Sequence, residues 1–171
     1  MIRLTALLFC SSLFAQQNSS LLNRDEFLQN WKDSKEFTIA VADAMPERLY
    51  GFKPNPEEMS FGALMVHIAE SNIFRFAQVS GEKPPPFEQP VQWTKTMIMD
   101  RLRDSFDYCA RKLQIVSDEQ LRKQYPVDWY QRPAVSGSQV LLGMYVHTAH
   151  HRGQAEVYLR ANNLKPPAYR P

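Results

Sequence analysis

The chain has 171 residues, 44% of them hydrophobic, and 20 Lys and Arg stand against 18 Asp and Glu for a formal charge of +2. That length supports one domain with a proper core rather than two. The basic residues form no block, which speaks against nucleic acid or an anionic membrane surface as a partner.

Residues 1–15 read as a signal peptide. Arg3 supplies a short positive region, 4–14 form an apolar run, and Ala15 offers a small residue for cleavage. The run is too short to span a membrane. Leu7, Leu8 and Phe9 precede Cys10 where a lipidated cysteine would follow a small residue. The expectation is therefore export to the periplasm or medium, with no lipid anchor and no stable membrane insertion. The remaining 16–171 form one domain. Without Arg3 the balance is 19 basic against 18 acidic residues, and Cys109 is the one cysteine left, so no intramolecular disulfide is expected.

A first helix starts at Asn23, with Glu26 placed as in a capping box, and ends before Pro46. Its apolar face is Phe27, Trp31, Ser34, Thr38, Val41 and Met45. Gly51, Pro54 and Pro56 mark a loop over 50–56. Ser60 is the expected N-cap of a second helix running to about Val79, with Phe61, Leu64, His67, Ile68, Ser71 and Phe74 turned inward. The proline-dense stretch 80–90 cannot continue it and is expected to be a long crossover.

A third helix is expected over 94–116, with Ile98, Leu102, Phe106, Cys109, Leu113 and Val116 inward. Cys109 on that face reads as a buried small hydrophobe. Residues 117–120 cap a short extra turn, and 125–135 form a loop or short hairpin. Ser136 and Gln139 make a capping box for the last helix. Asn162, Asn163, Pro166 and Pro167 end it. Four long helices with apolar faces and no alternating strands predict an all-α four-helix bundle, with a topology other than simple up-down-up-down.

The last helix carries the chemistry. Val140, Met144, His147, His151, Ala155 and Tyr158 recur at three- and four-residue intervals and share one stripe. Residues four apart have Cβ atoms about 6 Å apart, so two imidazoles there can converge on one ion. A single His on such a face is more often a hydrogen-bonded core residue. Here, however, three of the four His in the chain, His147, His150 and His151, fall within five residues, and the fourth, His67, is on the inward side of the second helix. His67, His147 and His151 are the expected ligands of a divalent metal. Three imidazoles leave coordination positions open, the pattern of a catalytic rather than a structural ion.

Other residues near the stripe take lesser parts. Gln154 is placed either to orient a ligand or bound water, or to bond across the bundle as a buried amide. Glu70, one turn from His67, is placed to close the metal shell or to act as a general base. His150 lies off the stripe, beside the ligands or exposed. Arg152 points away and reads as an ion-pair or helix-contact residue. Gly153 is expected to permit a close helix approach.

The runs SFGALMVHIAESN at 60–72 and VHTAHHRGQAEVYLRANNLKPPAY at 146–169 resemble the DinB-like (YfiT-like) family of metal-binding four-helix bundles. The resemblance covers essentially the whole chain after residue 15. It implies that His67, His147 and His151 bind a divalent ion, commonly nickel or zinc. Asn163 stands where the family usually has Gly, and Asn also tolerates the left-handed conformation. Some members resemble thiol-dependent S-transferases or isomerases, others are read as hydrolases, and many have no known activity. Export would separate the protein from cytosolic thiols, which ranks metal-dependent hydrolysis first, thiol transfer second, and a non-catalytic metal-binding module third. The expected partners are a small-molecule substrate and, in a homodimer, a second copy of the chain.

Overall fold

A computed structural model describes residues 23–86, 92–127 and 134–169. The expected signal peptide, 1–15, lies outside the described residues, as do parts of the 80–90 connection and of 125–135. What is described is all-α apart from one pair of two-residue strands.

Helix α1 spans Arg24–Ala44, and the Asn23 side chain accepts from the Asp25 and Glu26 amides at its start. A single 3-10 turn follows at Glu47–Leu49. Helix α2, Phe61–Ser80, is capped by Ser60 and stopped by Gly81 in the left-handed conformation, φ 72°. Helix α3 covers Lys95–Ile115 and the short α4 covers Asp118–Arg122, the latter with a complete Ser117–Gln120 capping box. Strands β1 (Gln124–Tyr125) and β2 (Val135–Ser136) pair antiparallel. The hairpin alternative for 125–135 is thus the one adopted at its ends. Helix α5, Gly137–Ala161, carries the expected Ser136–Gln139 capping box, and Asn163 follows it at φ 58°.

The four long helices pack in a ring, α1 on α3 and α5, α2 on the same two. Side-chain contacts fix their directions. Asn72 meets Cys109, Phe76 meets Tyr108 and Glu82 meets Lys112, so α2 and α3 run parallel. Trp31 Nε1 donates to the Phe106 carbonyl at 3.0 Å, while Arg24 donates to the Leu113 and Val116 carbonyls near the end of α3. Helices α1 and α3 are therefore antiparallel, and the guanidinium occupies acceptors that α3 itself leaves open. Phe27 meets Tyr145 and Ser34 meets Arg152, so α1 and α5 are parallel. The order is up, down, down, up. Parallel α2 and α3 oblige the chain to return the length of a 20-residue helix, about 30 Å. Fourteen residues, 81–94, separate them, enough for roughly 46 Å when extended. Pro84, Pro85 and Pro86 keep the described part of that return from coiling.

The inward faces of α1 and α3 are as the periodicity predicts, each named residue being buried. Helix α2 is rotated from its predicted phase. Ser71 is only half-buried and Phe74 is 51% exposed, whereas Met65, Asn72, Ile73 and Phe76 are buried. The inward arc is centred about 100° away, one residue's turn. The cause is that α2 packs on two helices at once, with its α3 side as deep as its α5 side. A glycine expectation also fails. Gly153 is exposed, and a Cβ placed there would touch nothing within 4 Å. The close approaches lie instead at Gly62, where a Cβ would stand 3.0 Å from Ile98 Cδ1, and at Gly137, where it would collide with the Gln120 carbonyl.

These two α5 glycines should respond oppositely to alanine. Gly137→Ala forces backbone apart and should destabilise by about 1–3 kcal/mol. Gly153→Ala should be neutral or stabilise by up to about 1 kcal/mol through helix propensity. Urea unfolding of metal-free protein measures both.

Candidate metal centre

His67 comes from α2, and His147 and His151 come from adjacent turns of α5, which runs antiparallel to it. All three are half-buried, at the seam between the two helices rather than in the core. Here the sequence-derived phase of α5 needs adjustment. The fully buried residues at this level are Thr148 and Arg152, each one position on from a His. Thr148 Oγ1 donates to Asn72 Oδ1 at 2.9 Å, a buried bond that ties α5 to α2 beside the imidazoles. Arg152 turns to α1, as expected of a helix-contact residue. It donates to Ser34 Oγ at 3.0 Å and Thr38 Oγ1 at 3.4 Å, and its guanidinium lies 4.6 Å from the Phe37 ring centroid. With these inward positions filled, the His pair is left at the rim.

The imidazoles meet through their Nε2 atoms. His147 Nε2 is 3.2 Å from His67 Nε2 and 3.1 Å from His151 Nε2, and the potential ligand atoms of all three lie within 4.8 Å of one another. Ligand bonds of about 2.0–2.1 Å give nitrogen–nitrogen edges of roughly 3.3 Å in a tetrahedron and roughly 2.9 Å in an octahedron. The two short edges fall between these values. Together the three His could hold a metal ion.

Protonation agrees with that chemistry. The Gln154 carbonyl oxygen sits 2.6 Å from His151 Nδ1, so Nδ1 carries the proton and Nε2 presents a lone pair. His147 Nε2 thus faces a lone pair from one side and the His67 ring from the other. One proton between them satisfies a single pair, whereas one cation satisfies three lone pairs at once. Burial pushes all three His below their ordinary value, and the Arg75 charge adds to this in each. His147 is pushed down to about 3. At neutral pH the donors are uncharged, the form a cation requires. Its Nδ1 is buried and has no partner among the described residues.

Glu70 does not join the cluster. It lines a cleft of about 420 Å³ bounded by Tyr50, Val66, Trp93 and Ile98, with His67 on the same wall. His67 is the residue common to cleft and cluster. His150 is exposed, its ring 4.9 Å from that of His151. Cys109 is buried away from the three His, 3.5 Å from the Asn72 carbonyl, and burial pushes its thiol well up, so it is no thiolate at neutral pH. Asn72 and Thr148 were not singled out from the sequence. The available signal was Thr148 and Arg152 repeating at four residues beside the His pair, a polar line that only a buried contact explains.

The sequence matches the model of the DinB superfamily over residues 30–155. Solved structures are also similar, among them the following three. A DinB-like protein from Bacillus cereus is 25% identical, with a TM-score of 0.71 over 85% of this chain and 97% of that one. A DinB-like protein from Bacillus subtilis is 19% identical, with a TM-score of 0.69 over 85% and 98%. A conserved protein from Enterococcus faecalis is 17% identical, with a TM-score of 0.64 over 80% and 94%. No curated protein matches the sequence. The match spans most of the chain, and the chain belongs to the DinB superfamily.

Proposed function

We propose that this protein is an exported four-helix bundle that binds one divalent ion, nickel or zinc, through His67, His147 and His151, and that it acts as a metal-dependent hydrolase. The observation that carries the reading is the meeting of three Nε2 atoms from two helices at the rim of a cleft. No fourth His, Cys, Asp or Glu joins that group among the described residues, which leaves coordination positions for water and substrate. A divalent ion bound there supplies Lewis acidity and brings water toward ionisation near neutral pH.

The chain's own residues do the rest. Gln154 holds the His151 ring and its tautomer. The Asn72–Thr148 bond holds α2 against α5 and with them the spacing of the donors. Glu70 stands on the cleft wall one turn from His67, where it faces whatever enters the cleft. No described helix is long and apolar enough to cross a membrane. Residues 1–15 serve as the signal peptide in this reading, and 16–171 as the exported domain.

Elemental analysis of untagged protein should find about one ion per chain, and the triple His67, His147, His151→Ala variant should be nearly metal-free. His150→Ala should keep its metal, and Gln154→Ala should bind roughly 10–100-fold more weakly. Equal metal in the triple variant would overturn the assignment.

Cobalt substitution separates the reactions. An open position should give saturable spectral shifts with added ligands. A response to carboxylates or phosphates supports the hydrolase, and tight shifts with thiols point to S-transfer instead. A site closed to every ligand, in a protein that unfolds without metal, makes the ion structural. Intact mass of protein recovered from a periplasmic or culture fraction should lack about the first 15 residues. A full-length cytoplasmic product would contradict export.

A further inference from the structure

The polar groups on the cleft wall are nearly all committed elsewhere. The Tyr50 hydroxyl donates to the Ala42 carbonyl at 2.8 Å, so only its ring is offered to the cleft. Ser60 Oγ accepts from the Ala63 amide as the α2 cap. His67 is turned to the other imidazoles. Glu70 differs. Among the described residues its half-buried carboxylate makes no hydrogen bond and no ion pair. Among the described residues no Lys or Arg lines the cleft, and Glu70 is its one formal charge. The remaining surface is aromatic and aliphatic, from Tyr50, Trp93, Val66 and Ile98. The nearby ammonium of Lys95 is held by Asp43 and by the Asp43 and Met45 carbonyls rather than by Glu70.

We infer that the cleft binds a small molecule with a protonated amine on an apolar or aromatic body, the amine on Glu70 and the body between Tyr50, Val66, Trp93 and Ile98. A cleft of about 420 Å³ is within the roughly 300–1,000 Å³ of small-molecule sites. A carboxylate beside aromatic rings recognises an ammonium by charge-assisted hydrogen bonding and cation–π attraction together. Tyr50 already carries the Lys95 ammonium 5.8 Å from its ring centroid. Residues three apart on a helix have Cβ atoms about 5–6 Å apart, so an amine on Glu70 leaves the ligand's other end beside His67. As a statement about substrate this rests on the proposed open metal site, since that end is the one to be cleaved. As a statement about binding it rests on the cleft alone.

The probes are phenethylamine, 2-phenylethanol and phenylacetate, titrated by ligand-detected NMR against zinc-loaded protein and against the His147→Ala variant. His147 does not line the cleft, so the variant loses the metal and keeps the pocket. In it the amine should bind about tenfold or more tightly than the alcohol, and the carboxylate should bind least. Glu70→Gln should abolish the amine's advantage over the alcohol, and Trp93→Ala should weaken both alike. Phenylacetate or phenylethanol binding the metal-free variant as well as phenethylamine would overturn the inference. So would an amine preference that survives Glu70→Gln, or no amine binding at millimolar concentration. Failure of the metal reading would show separately, in the metal content of the unmutated protein.

Discussion

The antiparallel seam between α2 and α5 is the contact on which the rest of the molecule depends. His67 reaches the other two His only if the helices lie in one register, and a slip of one turn would displace it by about 5.4 Å. The buried Thr148–Asn72 hydrogen bond sits next to the imidazoles and opposes such a slip, since breaking it strands two polar groups in the core. Opposite this seam, α1 accepts the buried Arg152 guanidinium on Ser34 and Thr38. That contact fixes the rotation of α5 and so the direction in which His147 and His151 point. The crossover of 81–94 belongs to the same requirement, because it permits α2 to keep α5 on one side and α3 on the other.

Placement at the rim reconciles two opposing demands. A metal donor must be desolvated enough to stay unprotonated, and a reactive metal must be reachable. The half-burial of the three imidazoles meets the first through desolvation and the Arg75 charge. The cleft that ends on His67 meets the second. A fully buried triad would hold an ion more tightly and admit nothing to it. An exposed one would titrate near its ordinary value and lose metal in mild acid.

Much of this was legible in the sequence because it rests on local rules. The Ser60, Ser117 and Ser136 caps, the Asn163 stop and the apolar faces of α1 and α3 follow from spacing and side-chain chemistry. So does the meeting of His67, His147 and His151, because four-residue spacing on one helix and an inward His on another leave few partners. What failed depends on neighbours. Phe74 is exposed because α2 is wedged between two helices, a fact absent from its own periodicity. Gly153 faces solvent, while Gly62 and Gly137 make the close contacts, and a glycine looks the same in either place. From the sequence, Glu70 is placed to close the metal shell or to act as a general base, and it does not join the imidazole cluster. The cleft on whose wall it stands is completed by Tyr50 and Trp93, which come from two different connections.

The central claim is that three imidazoles, and no other side chains, hold a metal at the α2–α5 seam. X-ray absorption at the zinc or nickel edge of the purified protein tests this most directly, because it counts the imidazoles around the ion. The account predicts three imidazole nitrogens at about 2.0–2.1 Å, with the remaining positions filled by light atoms from solvent or added ligand. Sulfur from Cys109 in the shell, or only one or two imidazoles, would contradict it.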